Sequence, residues 1–154
     1  MKPAEEPGQL TADDRLQIAE LISQYNWALD TYDVEGFAAL WVAGGVLDVP
    51  SGPHTDMRKF MHTVTRQDWT RGQMHWASNL VCHGNTERCV VKSQMLLPRR
   101  QDGRHEIVTA GYYIDTCVKA DGQWRFERRY WHVWEGDVLE ANPSLPEHFA
   151  HTTS

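Results

Sequence analysis

Two residues of this sequence, Asp30 and His75, have the side chains that general acid–base chemistry requires. An imidazole, whose unperturbed pKa is about 6.5, can both accept and return a proton near neutral pH. A carboxylate bound to one ring nitrogen fixes the tautomer and stabilises the imidazolium that forms when the other nitrogen takes a proton. Because the two residues are far apart in the sequence, only a fold that brings them together can make them act as one unit.

Each of the two residues also has a purely structural explanation. Asp30 ends an apolar stripe at helical spacing, which consists of Ile18, Ile22, Tyr25 and Leu29. A carboxylate in that place must be solvated, paired or used in chemistry. His75 lies in a run of β-type residues, where a histidine is commonly a hydrogen-bonded strand residue. The residues alone therefore favour the structural explanation for both.

The elements that must position these residues change in type along the chain. Helical spacing predicts helices over residues 11–32, 34–42 and 56–66, with a short strand at 46–49 and Gly44-Gly45 as a helix stop. Four long β-type runs follow, over residues 73–83, 87–97, 105–119 and 123–134. Two of the turns between them are Asp-Gly, a strong hairpin signal. This order predicts an α+β fold, in which N-terminal helices cover a curved, cone-shaped antiparallel sheet.

Strand alternation in the last β-type run predicts which side chains share a face. They are Trp124, Phe126, Arg128, Tyr130, His132 and Trp134. Arg128 then lies on an apolar face, where it could meet an anionic or carbonyl group of a ligand, pair with a buried acid, or be turned outward by a bulge. We expect the tryptophans and the histidine near the end of the run to pack.

Composition predicts one domain and limits the classes of partner. The 154 residues divide into a flexible N-terminal tail over 1–10, a domain over 11–136 and a C-terminal tail over 137–154. Seven Trp and five Tyr suit an apolar pocket for a small molecule. A net charge of −6 argues against nucleic-acid binding. Exposure to water of the strand faces that carry Tyr113 and Trp131 would destabilise a monomer, so we expect a homodimer or homotrimer.

The remaining expectations concern location and cofactors. No run of the sequence is long and apolar enough to span a membrane. The N-terminal residues are polar and acidic, unlike a signal peptide. Three cysteines without a CxxC pair are typical of a protein with reduced thiols. We therefore expect a cytoplasmic protein that does not associate with membranes. Eight histidines form no HExxH-type pattern, and no Walker loop, GxGxxG or GxSxG occurs. Accordingly, we expect neither a metal nor another cofactor.

Four segments of the sequence resemble the SnoaL-like proteins of the nuclear transport factor 2-like superfamily. They are IAELISQYNWALD (18–30), GFAALW (36–41), HWASN (75–79) and DGQWRF (121–126). The resemblance covers about residues 10–134 and implies the cone-shaped, cystatin-like α+β fold. That group includes polyketide cyclases, scytalone dehydratase, bile-acid dehydratase and a hexachlorocyclohexane dehydrochlorinase. It also includes non-catalytic proteins, so the fold alone does not imply one function.

The resemblance implies roles for particular residues. The Asp–His dyad of the dehydratase-like members falls on Asp30 and His75, with Asp33 as a rival for the carboxylate role. A tyrosine that contacts substrate in the bile-acid member falls on Tyr25. The second pocket histidine of scytalone dehydratase, which follows a proline, is replaced here by Arg99. This departure disfavours scytalone as the substrate, and Arg99 joins Arg128 as a candidate substrate-binding residue.

Together these inferences predict a cofactor-independent lyase of the dehydratase type, or an isomerase. Its substrate would be a small cyclic or aromatic molecule, such as a polyketide-like or steroid-like hydroxy-ketone. In this interpretation, His75 is the general acid–base and Asp30 orients it. The alternative is a non-catalytic ligand carrier, or a structural partner like the small subunit of ring-hydroxylating dioxygenases.

Overall fold

The computed structural model describes residues 8–136, which form three helices, six strands and one short 3-10 turn. The predicted tails lie outside this range, except for residues 8–10, in which Gln9 bridges to Asn85. The helices are α1 (Ala12–Asp30), α2 (Val34–Ala39) and α3 (Met57–Thr65). The strands are β1 (Trp41–Val49), β2 (Gly52–His54), β3 (Trp76–Gly84), β4 (Arg88–Gln101), β5 (Arg104–Ala120) and β6 (Gln123–Val133). Within the described range, none of the helices has the length and apolar composition needed to cross a bilayer.

The strands form one curved, open sheet in the order β2-β1-β6-β5-β4-β3. Neighbours are antiparallel except for β1 and β6, which run parallel, so the sheet is mixed where the sequence predicted an antiparallel one. Two Asp-Gly turns join β4 to β5 and β5 to β6, and all four of their residues have positive φ angles. Two-residue hairpin turns demand that conformation. The predicted α+β fold with a helix-covered curved sheet is therefore confirmed.

The first strand begins earlier than the sequence predicted. The predicted second helix reached residue 42, but α2 ends at Ala39 and β1 begins at Trp41. Gly44 has φ +73°, and the register of β1 against β6 shifts between Trp41 and Val46. The two glycines therefore form an irregularity inside a strand, which the sequence analysis interpreted as a helix stop.

The core lies between α1 and the face of the sheet that this helix covers. The predicted stripe of α1 is buried there against strand residues that include Val91, Cys117 and Phe126. Burial of each large apolar side chain in such a core stabilises the fold by about 1.5–3 kcal/mol. Tyr113 is buried as well, and Trp131 is half-buried against it. Tyr113 therefore gives no support to an oligomer, whose existence stays a prediction.

A bulge in β6 changes which arginine faces the core. Cys117 pairs with Phe126, but Thr116 pairs with Arg128, so one residue of β6 is extra at this point. Beyond the bulge, the inward positions are Arg129 and Trp131. The prediction that Arg128 shares a face with Phe126 is wrong for this reason, and the fully buried arginine is Arg129.

A buried carboxylate, Asp14, fastens the start of α1 to the sheet. It forms a capping box with Thr11. Its Oδ1 also accepts hydrogen bonds from Lys119 Nζ at 2.6 Å and from the indole nitrogen of Trp124 at 2.9 Å. The bond from Lys119, followed by that from Thr11, holds the pKa of Asp14 well below its usual range. The ionised form is therefore the one that stabilises the fold.

We expect Asp14→Asn to lower the free energy of unfolding by about 2–3 kcal/mol at neutral pH, because charge-assisted hydrogen bonds to a buried group are lost. Urea denaturation followed by circular dichroism measures this loss. Asp13→Asn is the matched control, since Asp13 is exposed and bonds only the exposed Gln17 side chain among the described residues. A loss below about 0.5 kcal/mol for Asp14→Asn, as expected for a surface change, would contradict the anchoring role.

Candidate functional site

The structure brings Asp30 and His75 into direct contact. Asp30 is the last residue of α1, and His75 precedes β3 by one residue rather than lying within a strand. Nδ1 of His75 lies 2.6 Å from Oδ1 of Asp30, and the backbone N–H of His75 donates to Oδ2 at 2.8 Å. Both carboxylate oxygens are thus used, and together the two bonds fix the position of the ring relative to the helix end.

This contact determines which ring nitrogen is available for chemistry. An ionised carboxylate can only accept, so Nδ1 carries the hydrogen and Nε2 of a neutral ring is left with a lone pair. The side chains of His75 and Asp30 are 16% and 17% exposed, so the pair is mostly covered but reachable. Asp33, the rival carboxylate, instead caps α2 by accepting from the backbone N–H of Gly36 at 2.9 Å.

A cleft of about 440 Å³ lies beside the dyad. It is open to solvent and runs between the last turns of α1 and the start of β3. Its lining residues are Ser23, Asn26, Trp27, His75, Trp76, Ala77, Ser78 and Leu96. Trp27 and Trp76 are 71% and 55% exposed, which is unusual for tryptophan. The volume lies in the range of about 300–1,000 Å³ that is typical of small-molecule sites.

A buried ion pair, Asp115 and Arg129, lies in the core between α1 and the sheet. Both side chains are 0% exposed, and Arg129 Nε is 3.2 Å from Asp115 Oδ1. Because the Nε–H bond of Arg129 does not point at Oδ1 of Asp115, the contact is an ion pair and not a hydrogen bond. Within residues 8–136, neither carboxylate oxygen of Asp115 and none of the guanidinium nitrogens of Arg129 has a hydrogen-bond partner. Such groups are costly to bury, so the pair is not explained by stability alone.

Two tyrosine rings enclose the guanidinium of Arg129. Its central carbon lies 4.0 Å from the ring centroid of Tyr25 and 3.6 Å from that of Tyr113, so cation–π attraction offsets part of the desolvation cost. Burial raises the pKa of Tyr113 to about 12 and that of Tyr25 well above its usual value. Both hydroxyls therefore stay protonated. The charge of Asp30 contributes a smaller part of both pKa shifts, which places the two tyrosine hydroxyls within electrostatic reach of that carboxylate.

The buried carboxyl group of Asp115 predicts how the stability of the protein depends on pH. Burial raises the pKa of Asp115 to about 7, against the opposing charge of Arg129. The unfolded chain releases this proton near its ordinary value of 3.8. Between the two values the folded state binds more protons, so the contribution of Asp115 to stability falls as pH rises from about 4 to about 7. We expect Asp115→Asn to remove this fall, so that its free energy of unfolding changes less than that of the wild type between about pH 4 and pH 7.

Denaturant titrations across this pH range measure the difference between the two proteins. Parallel curves for wild type and Asp115→Asn would contradict the prediction. Asp121→Asn, at the exposed turn between β5 and β6, is the control for the loss of one carboxylate.

The other two predicted site residues lie elsewhere. The guanidinium of Arg99 binds Glu106, with Nε at 3.1 Å from Oε1, so an acid already neutralises its charge. Arg128 lies on the face of the sheet opposite Arg129, because the bulge reverses the alternation. The structure therefore does not bring Arg128 to the dyad. Substrate binding by these two residues stays a prediction, and neither enters the function proposed below.

No group of three or more His, Cys, Asp or Glu side chains suited to hold a metal occurs within residues 8–136. The sequence analysis named both members of the dyad but missed Asp115 and Arg129. The sequence offers one signal for this pair. In a regular hairpin around Asp121-Gly122, Asp115 lies opposite Arg128, which is next to Arg129.

Comparison with known proteins adds family information to this geometry. A model of the SnoaL-like domain matches residues 10–130. A protein of unknown function with a cystatin-like fold from Nostoc punctiforme PCC 73102 is 26% identical; the match covers 82% of this chain and 96% of that one, with a TM-score of 0.75. A protein from Novosphingobium aromaticivorans DSM 12444 that is provisionally named a scytalone dehydratase is 28% identical, with coverages of 85% and 93% and a TM-score of 0.68. LinA, at 17% identity, coverages of 87% and 95% and a TM-score of 0.69, shares the fold. No curated protein matches the sequence.

Proposed function

The chain belongs to the SnoaL-like domain family, within the nuclear transport factor 2-like proteins of cystatin-like fold, and on that premise we propose that it is a lyase of the dehydratase type or an isomerase. The reaction uses no cofactor. The substrate is a small cyclic or aromatic molecule with a hydrogen made acidic by a neighbouring carbonyl. The name of the Novosphingobium protein supports the dehydratase alternative.

The observation that supports this proposal is the double hydrogen bond between Asp30 and His75 at the edge of a cleft. In the reaction, Nε2 of His75 takes the proton from the carbon next to the carbonyl, and the electron pair of that C–H bond moves into an enolate. Asp30 stabilises the imidazolium that results. In a dehydration the electron pair of the enolate forms a C=C bond as the C–O bond of a hydroxyl on the next carbon breaks, and the imidazolium protonates the departing oxygen, so that water leaves. In an isomerisation the proton returns to another carbon.

The buried groups of the core have a structural role in this proposal. Asp115 keeps the pKa of Arg129 raised despite burial, so the guanidinium stays charged between the rings of Tyr25 and Tyr113. Tyr25 packs against that guanidinium and against Phe37 and Phe126. We therefore assign Tyr25 to the positioning of α1 and Arg129. A direct contact between Tyr25 and substrate stays a prediction.

Proton removal can be tested without knowledge of the natural substrate. β-Tetralone is a two-ring ketone that fits a cleft of this size and has acidic hydrogens next to its carbonyl. In heavy water, we expect the wild-type protein to exchange these hydrogens for deuterium at least about a hundredfold faster than buffer, the lower end of the usual contribution of a general base. Proton NMR of the ketone measures the rate. A folded protein with no acceleration on β-tetralone or on a panel of related cyclic ketones would contradict the proposal.

A further inference from the structure

Asn26 lies one helical turn before Asp30, about 6 Å along the axis, so the two side chains share a face of α1. The cleft follows this face, since its walls are α1 from Trp27 back to Ser23 and the chain from His75 to Ser78. Because Asp30 holds the ring of His75, the side chain of Asn26 belongs to the wall beside the proposed base.

The two polar atoms of the Asn26 amide have different surroundings. The amide oxygen is buried and has no hydrogen-bond partner within residues 8–136. The nitrogen Nδ2 also makes no hydrogen bond to any of these residues, but it is not a buried atom. The small exposed fraction of Asn26, 8%, therefore includes an amide nitrogen whose two hydrogens are both available to a ligand.

This donor complements the lone pair on Nε2 of His75. Ser23 lines the same cleft, but its hydroxyl already donates to the carbonyl oxygen of Ala19 at 2.9 Å. Removal of a proton next to a carbonyl needs a base at the carbon and a donor at the oxygen, where negative charge develops. Asn26 and His75 supply these two groups from facing walls of one cleft.

We propose that Nδ2 of Asn26 donates a hydrogen bond to the carbonyl oxygen of the substrate and stabilises the enolate, so that Asn26 is a catalytic residue. As Nε2 of His75 takes the proton, the C–H electron pair forms a C=C bond. The π pair of the carbonyl then moves onto the oxygen that faces Asn26. This inference rests on the proposed function, but the contact with the carbonyl oxygen can be measured without turnover.

The first test is Asn26→Leu, which has nearly the same size and no donor. We expect this variant to exchange the hydrogens of β-tetralone about a hundredfold more slowly than the wild type, the usual loss for one donor to an oxyanion. The loss should be in kcat more than in KM, because the hydrogen bond strengthens as charge develops on the oxygen. The melting temperature should not fall, since the unpaired amide oxygen is removed as well.

Ser23→Ala is the matched control for this assay. Ser23 lines the same cleft one turn from Asn26, and its hydroxyl hydrogen is already used within α1. This variant should keep the wild-type rate. An Asn26→Leu rate within about threefold of the wild type, well short of the loss expected for an oxyanion donor, would overturn the inference.

The second test measures binding alone, by NMR titration with β-tetralone and with tetralin, the hydrocarbon that has the same two rings. The ratio of the two dissociation constants should favour the ketone about fivefold more in the wild type than in Asn26→Leu, as expected for one hydrogen bond. Asn26→Ala should show the same change. An unchanged ratio in both variants, or no binding of either probe, would overturn the inference. If the ratio changes but no form of the protein accelerates exchange, the contact with Asn26 stands and the proposed function fails.

Discussion

Replacement of His75 by alanine is expected to lower the rate of deuterium exchange into β-tetralone by about a thousandfold, close to the rate in buffer. The effect is large because the imidazole is the group that takes the proton, and general bases contribute about 10²–10⁴ to such rates. Circular dichroism should show the same fold, since the ring is partly exposed and, among the described residues, hydrogen-bonds Asp30 alone. A His75→Ala protein that keeps more than about a tenth of the wild-type rate would contradict the assignment.

The carboxylate partner provides the more discriminating comparison. Asp30→Asn should reduce the rate by about a hundredfold or more, because an amide cannot stabilise the imidazolium and can hold the ring in the wrong tautomer. Asp33→Asn is the matched control three residues away, where the side chain caps α2 and does not contact His75. It should keep the wild-type rate. Equal losses in the two variants would indicate a general effect of charge near the end of α1.

Replacement of Phe126 by alanine is expected to lower the free energy of unfolding by about 3–5 kcal/mol, the usual range for loss of a fully buried phenylalanine. Its ring lies 5.6 Å from Tyr25 and 5.1 Å from Trp41, centroid to centroid. It therefore joins α1, β1 and β6, and its loss leaves a cavity under the helix that carries Asp30. Urea denaturation measures the change.

Ile107→Ala is the control for the Phe126 variant, because Ile107 is 58% exposed near the start of β5. Its expected loss is within about 0.5 kcal/mol, as for most surface changes. If Phe126→Ala lost less than about 1 kcal/mol, the described packing of α1 on the sheet would be wrong.

The parts of the fold that were predicted correctly depend on local signals. Residues 18–29 have helical periodicity, and the Asp-Gly pairs at 102–103 and 121–122 adopt the positive φ angles that a tight hairpin needs. The start of β1 was missed because its pairing with β6 is non-local. Gly44 and Gly45 have the same local signal whether they end a helix or interrupt a strand, and only the partner strand decides.

The buried pair was missed for a related reason. Near the Asp121-Gly122 turn, Ala120 pairs with Gln123 and Cys117 pairs with Phe126. If that register continued along the hairpin, Asp115 would pair with Arg128. The bulge adds one residue, and Asp115 faces Arg129 instead. A shift of one residue exchanges the two faces of a strand, so the buried arginine could not be assigned from alternation alone.

The dyad was predicted through family resemblance and not through the residues themselves. Asp30 and His75 are 45 positions apart, and neither helical nor strand periodicity relates them. The cleft was predicted only as an interior hollow. Within the described residues the interior between Tyr25 and Tyr113 is filled by the guanidinium of Arg129, and the space beside His75 opens at the surface. Whether the interior is filled or hollow depends on how the side chains pack between α1 and the sheet, and the order of residues in the sequence does not give that packing.

Nitrogen NMR of protein labelled at its histidines tests the central claim most directly, since it reports which ring nitrogen of His75 carries the proton. We expect Nδ1 to be protonated and Nε2 to have a free lone pair, with a change in the Nε2 resonance when β-tetralone is added. In Asp30→Asn this preference should weaken or reverse. A wild-type ring that is protonated on Nε2, and whose resonances do not respond to the ketone, would contradict proton removal by the Asp30–His75 dyad.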